Sequence, residues 1–294
     1  MRRGHKTSYI RKIGRYGFYF VLPALLFFLA FNFFPMFYAL GVSLFKYDLL
    51  TEPEFVGLAN YKDVLTDPVF WRSALATVIY VFGTCVSIWF ISFVLATMLS
   101  KKCWGRGVFR TIYFVPVIMS LVVTSIIWKF MYHPYGLVNS MLAWIGLKES
   151  YHWLTDTTLA PIALIILSIW KGTPYYAVLF LAGIENIPVQ YYEAAMIDGV
   201  GPFKKLIHIT WPLLKPTTLF IIVISVIIGL RVFIPQEIIT DGGPGDVTRV
   251  ITLLIYQTAF NFYKMSRAAT ISIIMFFFIA GFSIFQFRLF REKR

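Results

Sequence analysis

Six long runs of predominantly apolar residues dominate this chain of 294 residues. A helix needs about 20 such residues to cross the hydrocarbon core of a bilayer, and more if it tilts. The runs cover Gly17–Phe45, Trp71–Leu99, Val108–Met131, Leu159–Ile184, Thr217–Pro235 and Ala268–Phe287. We therefore predict an all-α integral membrane protein with six transmembrane helices, with a basic tail at residues 1–16 and a membrane domain at 17–294.

The composition agrees with a membrane environment. Hydrophobic residues make up 59% of the chain and charged residues only 14%, whereas soluble domains are about 45–50% apolar and about 25% charged. The first run has a basic prefix like that of a signal peptide. The run is too long for the apolar region of a signal peptide, however, and no small-residue cleavage site follows it, which indicates a retained anchor. Cys85 and Cys103 form no disulfide framework, and neither the cysteines nor the histidines have metal-ligand spacing.

The distribution of positive charge predicts the orientation of the chain. The tail and the loops on the same side hold seventeen of the 27 Lys and Arg residues, and the opposite loops hold eight. Because cytoplasmic loops carry the excess of Lys and Arg, we expect both termini to be cytoplasmic. The net charge of +13 is thus a topology signal, and we expect no nucleic-acid partner.

The polar segment Tyr191–Pro212 interrupts two apolar runs on the cytoplasmic side. Pro188 suits the start of a helix over Val189–Ile197, because its fixed φ fits a first turn. Gly199 suits a left-handed residue after the C-terminus, and a second short helix over Phe203–Thr210 should end before the proline. The residues alone leave two interpretations open, an ordinary interfacial loop and a docking site for another protein.

The pattern Glu193-Ala194-Ala195, then Gly199 and Pro212, resembles the EAA cytoplasmic loop of permease subunits in binding-protein-dependent ABC importers. Two positions depart from the usual pattern: Trp211 replaces Leu, and Val200 replaces Ala. Three further segments, in the family's order, look like its carbohydrate-uptake subgroup, which includes the maltose, glycerol-3-phosphate and multiple-sugar permeases: Phe55–Trp71, Trp170–Tyr176 and Thr240–Gly245.

This resemblance implies a five-helix core with an extra first helix and a coupling loop at residues 186–215. It also implies a second homologous permease, two ATP-binding subunits and an extracellular or periplasmic solute-binding protein. The residues implied to couple to the ATPase are Glu193, Ala194, Ala195, Asp198, Gly199 and Pro212. No phosphate-binding Gly-x4-Gly-Lys-Ser/Thr loop is present, so we expect no cofactor in this chain, with ATP and Mg bound by the partner subunits.

Lys171 is a charged residue about twelve residues inside the fourth run, roughly 18 Å along a helix at 1.5 Å per residue. Ionisable residues at membrane depth are costly and are functional by default. With Trp170, Tyr175 and Tyr176 it forms a candidate sugar pathway, since aromatic faces bind sugar rings. Alternatively, Lys171 binds backbone carbonyls freed by a kink at Pro174.

Arg231 lies in the fifth run and is followed by Gln236 and Glu237 at its outer end. The two polar residues are candidates for binding sugar hydroxyls, and Arg231 would also suit an anionic solute such as an acidic sugar or glycerol phosphate. Alternatively, Arg231 pairs with Glu237 or with the partner permease.

Two other functions fit less well. An ion-coupled secondary transporter usually needs a carboxylate inside the bundle, and the runs hold acidic residues only at their ends. A membrane enzyme would need a nucleophile and base, or a metal cluster, at membrane depth. We therefore predict a non-enzymatic subunit of an ATP-driven importer for a sugar or oligosaccharide, in a bacterial or archaeal cell membrane.

Overall fold

The structure is a computed structural model that describes residues 17–48, 52–100, 105–147 and 150–291. The predicted basic tail lies outside the described residues. The all-α prediction is confirmed, with one antiparallel pair of two-residue strands, β1 (Phe45–Lys46) and β2 (Glu54–Phe55). In chain order the helices are α1 (Gly17–Val42), α2 (Ala59–Thr66), α3 (Pro68–Ser100), α4 (Arg106–Ile118), α5 (Leu121–Met131), α6 (Leu137–Trp144), α7 (Leu159–Glu185), α8 (Val189–Ile197), α9 (Pro202–Leu213), α10 (Lys215–Leu230), α11 (Ile251–Tyr256) and α12 (Met265–Arg291).

Four of these helices are long and apolar enough to cross a membrane by themselves: α1, α3, α7 and α12. Two bent pairs, α4 with α5 and α9 with α10, pass the same test together. The count reaches the predicted six when each bent pair is taken as one span.

The third predicted span is not the straight helix that its apolar run indicates. Helix α4 ends at Ile118, and α5 leaves it at 97°. Met119 and Ser120 between them have extended backbone, with ψ of 140° and 136°. Pro116 lies in the last turn of α4, where its missing N–H removes a helical hydrogen bond. The break leaves carbonyl groups at the end of α4 without helical partners.

The fifth predicted span also differs from its run. Helix α10 begins at Lys215, at a 67° bend from α9, and ends at Leu230 rather than at Pro235. Helix α9 does not stop at Thr210 as predicted but continues through Pro212 to Leu213. It widens into a π-helical turn just before Pro212, which accommodates the missing proline N–H.

The described residues divide into two compact units, and those of the smaller lie within residues 1–66 and 257–274. In its described part, Asn60 donates hydrogen bonds from Nδ2 to the carbonyls of Ser43 and Phe45, each at 2.8 Å. Arg267 forms an ion pair with Asp63. These contacts hold the strand pair and α2 against the start of α12.

The larger unit comprises residues 67–256 and 275–294 and is built around α3 and α7. Gly83 of α3 permits their close approach, because a Cβ there would lie 2.8 Å from Cδ1 of Ile165 on α7. Two buried clusters pack between the helices of this unit. One contains Leu164 and Leu167, and the other contains Phe180.

Candidate functional site

A cavity of about 270 Å³ lies between α3, α7 and α10 in the larger unit, and Val117 and Leu121 of the broken span α4–α5 complete its wall. Most of its wall is apolar, from residues such as Ile88, Leu167 and Val232. Its polar lining consists of hydroxyl groups, one thiol and one ammonium group, contributed by Tyr80, Thr84, Cys85, Ser168, Lys171, Tyr175, Tyr176 and Ser225. An apolar cleft with a few placed polar groups is the usual form of a small-molecule site.

Several of these polar groups are already paired with each other or with neighbours. The hydroxyls of Tyr80 and Ser168 are 2.7 Å apart and link α3 to α7. Trp89 donates its indole N–H to Oγ of Ser225 at 2.7 Å, which links α3 to α10. None of these four residues was predicted from the sequence. For Ser168 and Ser225 the available signal was a single Ser within an apolar run, because such residues mark helix contacts in membranes.

Lys171 lines the cavity, but its ammonium group binds the broken span. Its Nζ donates hydrogen bonds to the carbonyl oxygens of Pro116 at 2.8 Å and Met119 at 2.7 Å. These carbonyls end α4, where the 97° break leaves them without helical partners. The alternative prediction, that Lys171 binds carbonyls freed at Pro174 of its own helix, is therefore wrong, because the acceptors lie at the end of α4.

Two of the three aromatic residues predicted beside Lys171 line the cavity, and the third packs elsewhere. Tyr175 and Tyr176 both line the cavity, with their rings edge to face at 5.1 Å between centroids. The ring of Trp170 instead packs against Trp128 of α5 at 5.5 Å. Of the predicted pathway residues, Lys171 and the two tyrosines are thus brought together in the cavity, and Trp170 is not.

Arg231, Gln236 and Glu237 lie outside this cavity. Arg231 is exposed at the end of α10, and within the described part of the chain it forms no ion pair with Glu237. Gln236 begins a π-helical segment, Gln236–Thr240, and is completely buried. Its amide interacts with the Tyr80 hydroxyl of the cavity wall, although the described residues give it no hydrogen bond of ordinary geometry. Burial and the neighbouring Asp241 carboxylate raise the pKa of Glu237.

Helix α8 occupies the segment where the sequence predicts a coupling helix, and its bounds agree with that prediction. It ends in a Schellman motif: Val200 N–H bonds to the Ala195 carbonyl at 2.9 Å and Gly199 N–H to the Met196 carbonyl at 3.1 Å. Gly199 has a φ of +67°, the left-handed conformation that favours glycine in this motif. The local prediction for this residue is confirmed.

Most of α8 is exposed. Glu193, Ala194, Asp198 and Gly199 lie on the surface, and so does Pro212 of α9. Only Ala195 among the α8 residues is buried. Ile197 is 88% exposed and Met196 is 60% exposed, which gives the helix an apolar outer surface.

Two contacts attach this segment to the larger helices. The hydroxyl of Tyr192 on α8 is 2.9 Å from Oγ1 of Thr210 on α9. Gly183 near the end of α7 lies so close to α10 that a Cβ there would be 2.8 Å from side-chain atoms of Leu214 and Thr217. Helix α8 is therefore bonded to α9 within the connection between α7 and α10, and the ends of these two cavity-forming helices pack against each other.

The opposite end of α7 has a charged cap. The carboxylate of Asp156 accepts hydrogen bonds from the backbone N–H groups of Thr158 at 2.8 Å and Leu159 at 2.9 Å. These bonds hold the pKa of Asp156 below its ordinary value. In the part of the chain that the structure describes, no group of three or more His, Cys, Asp or Glu side chains is arranged to hold a metal ion.

A protein-family comparison matches residues 70–294 to the family described as "Binding-protein-dependent transport system inner membrane component". The matched region includes the cavity and α8.

Similar proteins cover the chain almost from end to end. The trehalose/maltose transport system permease protein MalF of Thermococcus litoralis is 35% identical over 95% of this chain and 94% of its own length. The lactose transport system permease protein LacF of Rhizobium radiobacter is 35% identical over 95% of both chains. A chain in the crystal structure of a bacterial alginate ABC transporter, in complex with an alginate pentasaccharide-bound periplasmic protein, has the same fold. Its TM-score is 0.82 at 23% identity, over 94% of this chain and 93% of that chain.

Proposed function

The chain belongs to the family of binding-protein-dependent transport system inner membrane components, and on this premise we propose that it carries a sugar or oligosaccharide into the cell as one permease subunit of an ATP-driven importer. The observation that carries the proposal is the direct connection between the exposed helix α8 and the cavity. The exposed helix α8 directly follows α7, and α7 also provides Ser168, Lys171 and Tyr175 to the cavity wall.

Helix α8 is the proposed contact with the ATP-binding subunits. Glu193 supplies an exposed charge, and Ile197 supplies an exposed apolar group that a partner cleft would bury. The Schellman motif at Gly199 and the Tyr192–Thr210 contact fix the orientation of this surface. A movement of α8 is therefore transmitted to α7 and α10, and alternating access of the cavity follows from that movement.

The cavity is the proposed solute pathway. Tyrosine rings beside hydroxyl groups suit a sugar, because the ring faces cover the apolar side of the sugar and the hydroxyls exchange hydrogen bonds with it. The ammonium group of Lys171 is occupied by two carbonyls, which favours a neutral sugar over an anionic solute. The buried amide of Gln236 lies beside the Tyr80 hydroxyl and makes no hydrogen bond of ordinary geometry among the described residues, which supports a role in binding a hydroxyl when the helices rearrange.

The proposed complex contains a second homologous permease, two ATP-binding subunits that hold ATP and Mg, and a solute-binding protein outside the membrane. Both chain termini face the cytoplasm in this proposal, which rests on the excess of Lys and Arg on that side.

The proposal is tested by co-purification from detergent-solubilised membranes, with the accompanying chains identified by mass. Wild-type protein should bring a second permease and a Walker-motif ATPase, and Glu193→Lys should lose the ATPase while inserting normally. Glu54→Lys, a charge reversal at another exposed position, should behave as wild type. Wild-type protein that purifies alone and still transports would overturn the importer assignment, and normal ATPase retention by Glu193→Lys would overturn the role of α8.

A further inference from the structure

The segment between α5 and α7 contains a helix that lies outside the predicted spans. Helix α6 is eight residues long and begins five residues after α5 ends at Met131. Those five residues extend at most about 18 Å. The helix therefore remains close to the end of the broken span.

One side of α6 is fixed to the protein by a single buried amide. Nδ2 of Asn139 donates to the carbonyls of Pro134 at 2.9 Å and Tyr151 at 3.0 Å. Oδ1 of Asn139 accepts from the backbone N–H of Tyr151 at 3.2 Å and the indole N–H of Trp153 at 3.0 Å. Because both ends of the amide are satisfied, the helix has a defined orientation and its other side faces outward.

The outward side is mainly apolar, and its exposed Ser140 donates its hydroxyl to the Gly136 carbonyl at the start of the same helix. Leu137, Met141 and Trp144 recur at helical spacing (i, i+4, i+7) and form one stripe. Ile145 and Tyr135 extend the stripe at its two ends. Trp144 is 88% exposed and Tyr135 is 92% exposed. No charged side chain occurs from residue 134 to residue 147. We call these five residues the α6 apolar face.

We propose that the α6 apolar face is a membrane-binding surface that rests in the interfacial layer of the bilayer. Three observations favour lipid over a protein partner. Exposed apolar surface is not confined to α6, because Phe130 at the end of α5 is 71% exposed. The large side chains of the face include Trp and Tyr, which concentrate at membrane interfaces. Residues 134–147 carry no charged side chain, whereas the rim of an interface with a soluble partner is polar.

Geometry supports this position. An amphipathic helix in the interface lies parallel to the membrane, with its apolar residues among the acyl chains and its polar side towards the protein or water. The Asn139 contacts hold the polar side of α6 against Tyr151 and Trp153, in the chain that leads to α7. The apolar face thus anchors the start of α7 to the membrane surface. This inference is independent of the transported solute and of the ATPase contact.

Site-directed spin labelling tests the proposal in the transporter purified with its accompanying subunits and reconstituted in lipid nanodiscs. Cys103→Ser removes one native thiol, and the other, Cys85, is buried. The Cys103→Ser variant without an added cysteine measures the background labelling that remains. Met141→Cys places a nitroxide on the α6 apolar face. Thr157→Cys places one at an exposed position in the same connection, just before α7, and serves as the matched control.

The label at residue 141 should collide with oxygen, which partitions into lipid, several-fold more often than with a water-soluble nickel chelate. The control label at residue 157 should show the reverse order. Low accessibility to both reagents at residue 141 would show that a protein partner covers the face and would overturn the proposal. Free access of the nickel chelate would overturn it as well, since the face would then lie in water.

Discussion

Replacing Lys171 with methionine should destabilise the fold by removing the two hydrogen bonds that cap α4. The ammonium group donates to the carbonyls of Pro116 and Met119 at 2.8 and 2.7 Å. Hydrogen bonds to charged groups contribute about 1.5–3 kcal/mol each in mutational series, values that already include the cost of desolvation. Because Lys171 is only partly buried, we take the lower end, which gives a loss of about 3 kcal/mol. At about 2 °C per kcal/mol for a large chain, the melting temperature should fall by about 6 °C.

The assay is thermal unfolding of the purified transporter in detergent, with uptake measured in parallel. Lys171→Arg retains the charge and several donors, so it should lose less stability than Lys171→Met. Lys129→Met is the graded control, because Lys129 is exposed and makes one such bond, to the Ile238 carbonyl at 2.8 Å. Its melting temperature should change by about 2 °C or less.

An unchanged melting temperature in Lys171→Met, together with lost uptake, would refute this reasoning. The ammonium group would then act on the solute and not on the break between α4 and α5. Loss of both stability and uptake agrees with the structural role, since the broken span forms part of the cavity wall.

Three further predictions use other contacts. Gly83→Val should lower the free energy of unfolding by about 1–3 kcal/mol, because the larger side chain overpacks α3 against α7. Gly281→Val is the control, since a Cβ there meets no atom within 4 Å, and it should change the melting temperature little. Equal effects of the two substitutions would contradict the close approach of α3 and α7. Gln236→Met should change the melting temperature little, because the buried amide makes no hydrogen bond of ordinary geometry among the described residues, and a simultaneous fall in uptake would assign the amide to the solute. A large loss of stability would show that its interaction with the Tyr80 hydroxyl is a full hydrogen bond. The carboxylate of Asp156 has a folded pKa below its ordinary value of 3.8, so its contribution to the stability of the fold is complete above that value and is lost as the pH falls through the folded pKa. The melting temperatures of wild type and Asp156→Asn should therefore converge between pH 6 and pH 3. Parallel curves would contradict the cap.

The parts of the fold that sequence reasoning predicted are those that depend on neighbouring residues. Long apolar runs are sufficient for the spans, and the end of α8 at Gly199 follows from a local backbone rule. The break after Ile118 was missed, because an apolar run retains its composition whether its helix is straight or broken. The partners of Lys171 were also missed. The Pro116 carbonyl lies 55 residues away in sequence, and no local pattern shows which backbone groups a distant break will expose.

In the candidate site, contacts within one helix were predictable and contacts between helices were not. Lys171, Tyr175 and Tyr176 were predicted as a group because residues close in one helix remain close in space, and all three line the cavity. The direction of Trp170 depends on the packing of α5 against α7, and its tilted ring contact with Trp128 was therefore not predictable. Tyr80 and Ser168 are 88 residues apart in sequence, so their pairing required the helices to be placed first.

The arrangement makes α7 the mechanical link of this subunit. Its 27 residues extend about 40 Å at 1.5 Å per residue. One end is capped by Asp156 and the other leads into the exposed α8, while Lys171 joins its middle to the broken span. In the proposed mechanism, a displacement of α8 passes along α7 and reaches the carbonyls of Pro116 and Met119 through Lys171. The break between α4 and α5 is then the point at which the cavity wall would bend, because Met119 and Ser120 have extended backbone outside both helices.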